Sequence, residues 1–283
     1  MFFNDDKKKS HCAFTLIELF VTIAIIGLLA TIILPALAKA KAKAWTTICL
    51  NNKYQLGIIW HLYANDNNGE LAANCDSGVR AWSLNWVAGV MSWRTEEQVT
   101  NYFYLINKQS ALFASYCQRK ELYKCPVDRY LSPAQKEVGF YERVRSVSMN
   151  MYLRPVNPPE GFAYRYNQGA KLFNKLEDIT QISPAKLFVF IDEHADYLTE
   201  VQFHAPLFLG GKDFAWPRLP ASYHNGGCAF AFADGHSELK RWLVKSTIKS
   251  VYYGSRNAVR PENDYRDLVW VYERCSTFSP IQY

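Results

Sequence analysis

Two short stretches gather the side chains best suited to chemistry. Asp192, Glu193, His194 and Asp196 follow the apolar run 187–191, and His224, Asp234 and His236 surround a second apolar run, 228–233. Neutral imidazoles and carboxylates are ligands for Zn²⁺ and similar ions. Asp192, His194, His224, Asp234 and His236 could therefore share one ion if the two runs lie side by side. No HExxH helix and no paired CxxC sharpens that reading. The plainer use of Asp234 and His224 is to hydrogen-bond turn backbone, with Gly235 supplying a positive φ, and it is the more frequent one. The serines, Ser222 among them, have no GxSxG context, and no glycine loop is built to cradle phosphate. No catalytic residue is assigned, and the chain does not read as an enzyme. Trp82, Trp86, Trp93, Tyr102, Tyr104 and Trp216 could form a stacking face for sugars or bases, although aromatics serve core packing more often.

Such residues need elements to hold them. The runs 144–152 (VRSVSMNMY), 187–191 (LFVFI) and 228–233 (CAFAFA) read as strands. The last leads through Asp234-Gly235 into 236–243 (HSELKRWL), the strongest short signal for a hairpin. Helices are expected at 95–108 and 112–123, the second ending before Cys125-Pro126, and Pro158-Pro159-Glu160-Gly161 is a loop. There is no internal repeat and no heptad seam. Helix first and antiparallel strands later make an α+β head on a long N-terminal helix.

That first helix changes solvent along its length. Residues 19–38 carry no charge, and a helix of that length spans roughly 30 Å, the thickness of a bilayer core. Only Thr22 and Thr31 offer it a polar stripe. Lys39, Lys41 and Lys43 follow, and then Ile48, Leu56, Ile59 and Tyr63 recur at helical spacing up to the stop signal Asn65-Asp66-Asn67-Asn68-Gly69. Lys7-Lys8-Lys9 precede the apolar run, so basic residues on both sides leave its orientation open. Glu18 stands at the mouth of this run, where a carboxylate is costly, and Pro35 invites a kink or local melting.

The segment Ala13-Phe14-Thr15-Leu16-Ile17-Glu18-Leu19 resembles the cleavage and methylation motif of type IV pilins and type II secretion pseudopilins. The resemblance implies a basic leader, 1–13, removed by a membrane prepilin peptidase between Ala13 and Phe14. The new Phe14 amine is then N-methylated by the same peptidase/N-methyltransferase. It implies that Glu18 pairs with the N-terminal amine of a neighbouring pilin or pseudopilin subunit during assembly. An ammonium partner offsets the cost of a carboxylate in lipid. Pro35 matches the mid-helix proline of that family. Ala13 departs from the family's glycine, which implies slower processing. Downstream, His224 followed by nine residues and Asp234-Gly235 resembles the H-x9-DG segment that accompanies such N-termini, as Cys125-Pro126-Val127-Asp128 resembles a CPxD-like element. Pseudopilin heads often hold Ca²⁺ in a C-terminal loop, and Asn263, Asp264 and Asp267 could supply its oxygens.

The expected organisation is leader 1–13, helix 14–66 spanning a membrane over about 14–38, and an extracytoplasmic head 67–283 with the H-x9-DG segment at 224–235. The pilin-like fold is α+β, the long helix packed on an antiparallel sheet. The partners are the peptidase, other subunits and lipid of the bacterial inner membrane, with assembly into a type IV pilus or a type II secretion pseudopilus. No cofactor is required, with Ca²⁺ or Zn²⁺ as an option in the head. Of 283 residues, 49% are apolar and the formal charge is +6, too mild an excess to argue for nucleic acid. Seven cysteines become six once Cys12 leaves with the leader. In an oxidising compartment Cys117 and Cys125, close in sequence, are the first candidates for a bridge. The rival readings are a membrane-tethered metal-dependent enzyme, an adhesive or glycan-binding head, an uncleaved signal anchor, and a secretory signal cut after Ala36-Leu37-Ala38.

Overall fold

The computed structural model describes residues 15–75, 85–155, 169–208, 214–254 and 257–278. The chain divides into two compact units, Met1–Ala44 and Trp45–Tyr283. Helix α1, Leu16–Asp66, contributes to both. It begins in a reciprocal cap: Thr15 donates from its amide (2.8 Å) and hydroxyl (2.7 Å) to Glu18 Oε2, and the Glu18 amide donates back to Thr15 Oγ1 at 3.3 Å. This is the Thr-x-x-Glu capping box, which satisfies donors that a helix start leaves open.

Within the first unit the apolar side chains lie uncovered, with Ile17 at 73% and Ile32 at 69% exposure. The helix is long and apolar enough to cross a membrane. The hydroxyls of Thr22 and Thr31 donate to the Leu19 and Leu28 carbonyls, so their polar atoms need no water. The helix continues through Pro35. It stops where Asn68 and Gly69 take positive φ (54° and 79°) and the Gly69 amide donates to Ala64 O at 2.8 Å.

In the second unit, Cys49, Lys53, Leu56, Trp60, Tyr63 and Ala64 are buried along α1, the i, i+4, i+7 stripe of a helix lying on a core. Five strands form one sheet: β1 Val147–Asn150, β2 Phe188–Asp192, β3 Gln202–Phe203, β6 Gly227–Phe232 and β7 Ser237–Arg241, in the order β3-β1-β2-β6-β7. Two short strands, β4 Leu207–Phe208 and β5 Phe214–Ala215, pair separately. The fold is α+β, as the sequence implies, with one correction. The sheet is mixed, because β3 runs parallel to β1. β2 ends beside the start of β1, with Asp192 opposite Val147, so a short connection to the far side of β1 starts β3 at that same end and runs it along β1. The expected hairpin forms between β6 and β7, where Gly235 takes φ 93° and the Phe232 amide donates to His236 O.

The two expected helices in the head do not form as such. Residues 95–108 give a 3₁₀ turn, Glu97–Val99, and the single-turn α2, Phe103–Ile106, while 112–123 give 3₁₀ turns at Leu112–Ser115 and Lys120–Tyr123. In the first of these segments side-chain carbonyls intercept the backbone donors. Asn101 Oδ1 accepts from the Phe103 amide and Asn107 Oδ1 from the Gln109 amide, closing local turns in place of a helical ladder. Short helices α3, Pro133–Glu137, and α4, Arg266–Tyr272, complete the head.

The aromatics mostly fill the core. Trp86 is fully buried with its ring 5.0 Å from that of Phe190, and Trp216 is buried against Trp242. Trp93 carries the Arg143 guanidinium over its ring. Tyr104 is buried and Tyr102 exposed, so these residues share no stacking face; Trp82 lies outside the described residues, as do the leader, the Ala13–Phe14 bond and the loop at 158–161.

Candidate metal centre

Four separate segments of the head converge at one buried point. Cys49 comes from α1, Cys125 follows the 3₁₀ turn Lys120–Tyr123, Asp192 ends β2, and His224 precedes β6. One ligand atom from each lies within 4.8 Å of all the others, and none of the four residues is more than 5% exposed. The Cys49 thiol donates to Asp192 Oδ2 at 3.1 Å, and Cys125 Sγ lies 3.2 Å from His224 Nε2. His224 Nδ1 is 3.2 Å from Thr46 Oγ1, one turn before Cys49 on the same helix.

The second oxygen of Asp192 is held apart. Lys53 Nζ donates to Oδ1 at 2.7 Å, and Ser146 Oγ donates to the same oxygen at 3.1 Å. Cys49 and Lys53 stand four residues apart, so one face of α1 delivers both a thiol and a cation to this carboxylate. Burial acts to lower the Lys53 pKa, but the charge and hydrogen bond of Asp192, with Cys49 and Cys125, together more than offset it, and the pKa lies above the ordinary lysine value. The Cys49 thiol is pushed well up, first by its hydrogen bond with Cys125, then by burial and by the Asp192 charge. Burial likewise raises Cys228, whose thiol donates to the Asp192 carbonyl.

Of the five residues named from sequence, the structure brings together only Asp192 and His224. His194 faces another way, with Nε2 3.0 Å from the Lys249 carbonyl and Nδ1 accepting from the Asp196 amide. Asp234 and His236 pair with each other at the hairpin tip, Oδ1 to Nδ1 2.5 Å, with His236 stacked on Phe232. Burial would raise the Asp234 carboxyl, but its hydrogen bonds from His236 hold it below the usual value. A β-carbon on Gly57 would meet Gly235 O at 3.8 Å, so α1 passes directly under this turn. Of Asn263, Asp264 and Asp267, suggested for Ca²⁺, Asp264 pairs with Arg266, and Asp267 accepts the Leu243 and Val244 amides.

The expected Cys117–Cys125 bridge is also corrected. Both are free thiols, and no disulfide occurs among the described residues. Cys117 Sγ accepts from the Arg119 amide, while Cys125 is turned inward to His224. The sequence reading does not place Cys49 and Cys125 in this cluster, because cysteines expected in an oxidising compartment read first as disulfide partners. A signal was present: Lys53 sits in the apolar stripe of α1, one turn past Cys49, and a buried lysine demands a carboxylate. Outside the cluster, a groove of about 660 Å³ runs past Ile48, Pro126 and Glu142, but none of the four clustered residues lines it.

A family model described as the prokaryotic N-terminal methylation motif matches residues 8–34, which include Ala13, Phe14 and Glu18. No curated protein and no solved structure matches the chain. The chain carries a prepilin-type methylation motif leading into an apolar helix and an α+β head, the arrangement of a pilin- or pseudopilin-type protein.

Proposed function

We propose that the protein is a structural subunit of a type IV pilus or a type II secretion pseudopilus. It is anchored in the bacterial inner membrane by the apolar half of α1, with its head outside. The observation that carries this reading is the methylation motif over residues 8–34 set directly on an uncovered apolar helix. Prepilin peptidase cuts between Ala13 and Phe14 and methylates the new amine. Lipid-buried helices then repack against one another, each Glu18 pairing with the amine of a neighbour.

The cap on Glu18 gives that step a definite form. In the single chain, Glu18 Oε2 is satisfied by two donors of Thr15. Assembly exchanges these neutral donors for an ammonium, a stronger partner for a carboxylate in low dielectric. The carboxylate therefore has a resting partner while the subunit waits in the membrane. The head's buried cluster favours a structural over an enzymatic role, since its four donors are all withdrawn from solvent.

The test is the mature N-terminus, read by mass spectrometry on protein taken from membranes. A methylated Phe14 terminus is expected. An intact Met1, or a start at Lys39, would overturn the reading in favour of a signal anchor or a secretory signal.

A further inference from the structure

We infer that Cys49, Cys125, Asp192 and His224 form a tetrahedral zinc site that fastens α1 to the sheet of the head. The donor set is the first argument. Two thiolates, an imidazole and a carboxylate suit a borderline-soft ion of tetrahedral habit, whereas Ca²⁺ and Mg²⁺ take oxygen shells. Thr46 Oγ1 at His224 Nδ1 leaves Nε2 facing the cluster, the outer hydrogen bond that orients a ligating histidine. Lys53 occupies Oδ1 of Asp192 and leaves Oδ2 turned to Cys49, so the carboxylate has one oxygen for the ion.

Charge is the second argument. Zn²⁺ with two thiolates and one carboxylate would leave a negative charge buried in the core. Lys53, fully buried beside Asp192, cancels it. On binding, each cysteine loses its proton to solvent and both sulfur lone pairs go to the metal, so the buried assembly is neutral before and after. A disulfide between Cys49 and Cys125 is the competing use of two neighbouring sulfurs. It would remove the S–H donor that now faces Asp192 Oδ2 and the thiol that now meets His224 Nε2, leaving both buried polar groups with a poorer partner. The ion satisfies all four groups at once.

The placement explains what the site is for. All four positions are protein ligands, the closed arrangement of a structural zinc. The ligands come from α1, from the loop ahead of β1, from the end of β2 and from the entry to β6, so one ion ties the helix to three places along the head's chain. The Cys and the His of the two sequence elements Cys125-Pro-Val-Asp128 and His224-x9-Asp234-Gly235 meet here, although the elements lie far apart in sequence.

The test uses the full chain, purified from membranes in detergent without chelators. Elemental analysis should find about one zinc per chain. Alkylation under denaturing conditions should find Cys49 and Cys125 both as thiols. After zinc is stripped, Co²⁺ should give the thiolate charge-transfer absorption of a tetrahedral sulfur site. Thr46→Val should weaken zinc affinity about 10- to 100-fold without changing the saturating stoichiometry. Cys125→Ser and His224→Ala should each lose the ion. Should they fail to fold, the metal content, thiol state and cobalt spectrum of the unmodified chain decide alone. A metal-free chain, a Cys49–Cys125 disulfide, a cobalt spectrum without thiolate bands, or zinc retained in folded Cys125→Ser would each overturn the site.

Discussion

Cys125 Sγ lies 3.2 Å from His224 Nε2 across 99 residues of sequence. The contact joins a loop ahead of the first strand to the start of the β6–β7 hairpin, and α1 reaches it through Cys49 and Thr46. With Asp192 from the end of β2, the polar centre of the head is thus a meeting of four segments that no local pattern links.

The ion pair at that centre makes the first prediction. Lys53 and Asp192 are both fully buried, and removing one leaves the other charge unpaired. Lys53→Met should destabilise the head by about 3–5 kcal/mol. Chemical denaturation followed by tryptophan fluorescence measures this, and an unchanged midpoint would contradict the pairing.

Glu18 and Thr15 separate capping from assembly. Thr15→Val should cost the helix start about 1 kcal/mol yet leave the carboxylate able to meet an amine, so filaments should still form. Glu18→Gln keeps a capping side chain but no charge, and should insert in the membrane without entering filaments. Fractionation of membrane and sheared filament pools reads both. Assembly by the glutamine variant would show that charge at position 18 is dispensable.

Glu193 predicts a pH dependence. It is fully buried, accepts from Ser148 Oγ at 2.6 Å and lies 3.8 Å from Arg218 Nη1. Burial outweighs Arg218, Ser148 and Arg145, and pushes its pKa from 4.5 up to about 7. The folded head therefore holds a proton that the unfolded chain has released. This stabilisation is fully present below about 4.5 and is lost as pH rises through about 7, an effect on the order of 3 kcal/mol. Glu193→Gln should flatten that slope. Denaturant midpoints measured across this window would show it, and a stability that rose with pH would contradict the assignment.

Gly57 tests the approach of helix and hairpin. A β-carbon there meets Gly235 O at an ordinary 3.8 Å, so Gly57→Ala should gain up to about 1 kcal/mol of helix propensity. Gly57→Leu has no such room and should cost about 1–3 kcal/mol by pushing on the turn. Thermal melts of the two variants should move in opposite directions.

How far the sequence disclosed this structure depended on how local each signal was. The uncharged run 19–38, the stripe from Leu56 to Tyr63 and the Asp234-Gly235 turn are governed by neighbours in the chain, and α1 and the β6–β7 hairpin appear where they point. The parallel partnering of β3 with β1 depends on a crossover that no periodicity records. The expected helix at 95–108 is overridden by Asn101 and Asn107, whose side chains capture backbone donors, while 112–123 breaks into two 3₁₀ turns. At the buried cluster, Asp192 and His224 were legible as chemistry-bearing residues at strand ends. Their association with Cys49 and Cys125, rather than with His194, Asp234 and His236, was set by the register of α1 on the sheet.

The two borders of the sheet, as the described residues give it, have a consequence for the proposed assembly, which would hold heads side by side. One border is β3, only two residues long; the other is β7, whose Glu238, Lys240 and Arg241 carry charges of both signs. A sheet that ended in a long apolar strand would invite the next head to add its own, and neighbours would fuse into an unregulated ribbon. A stub at one side and a charged ribbon at the other deny that template. Neighbouring heads can then be brought close without their sheets joining.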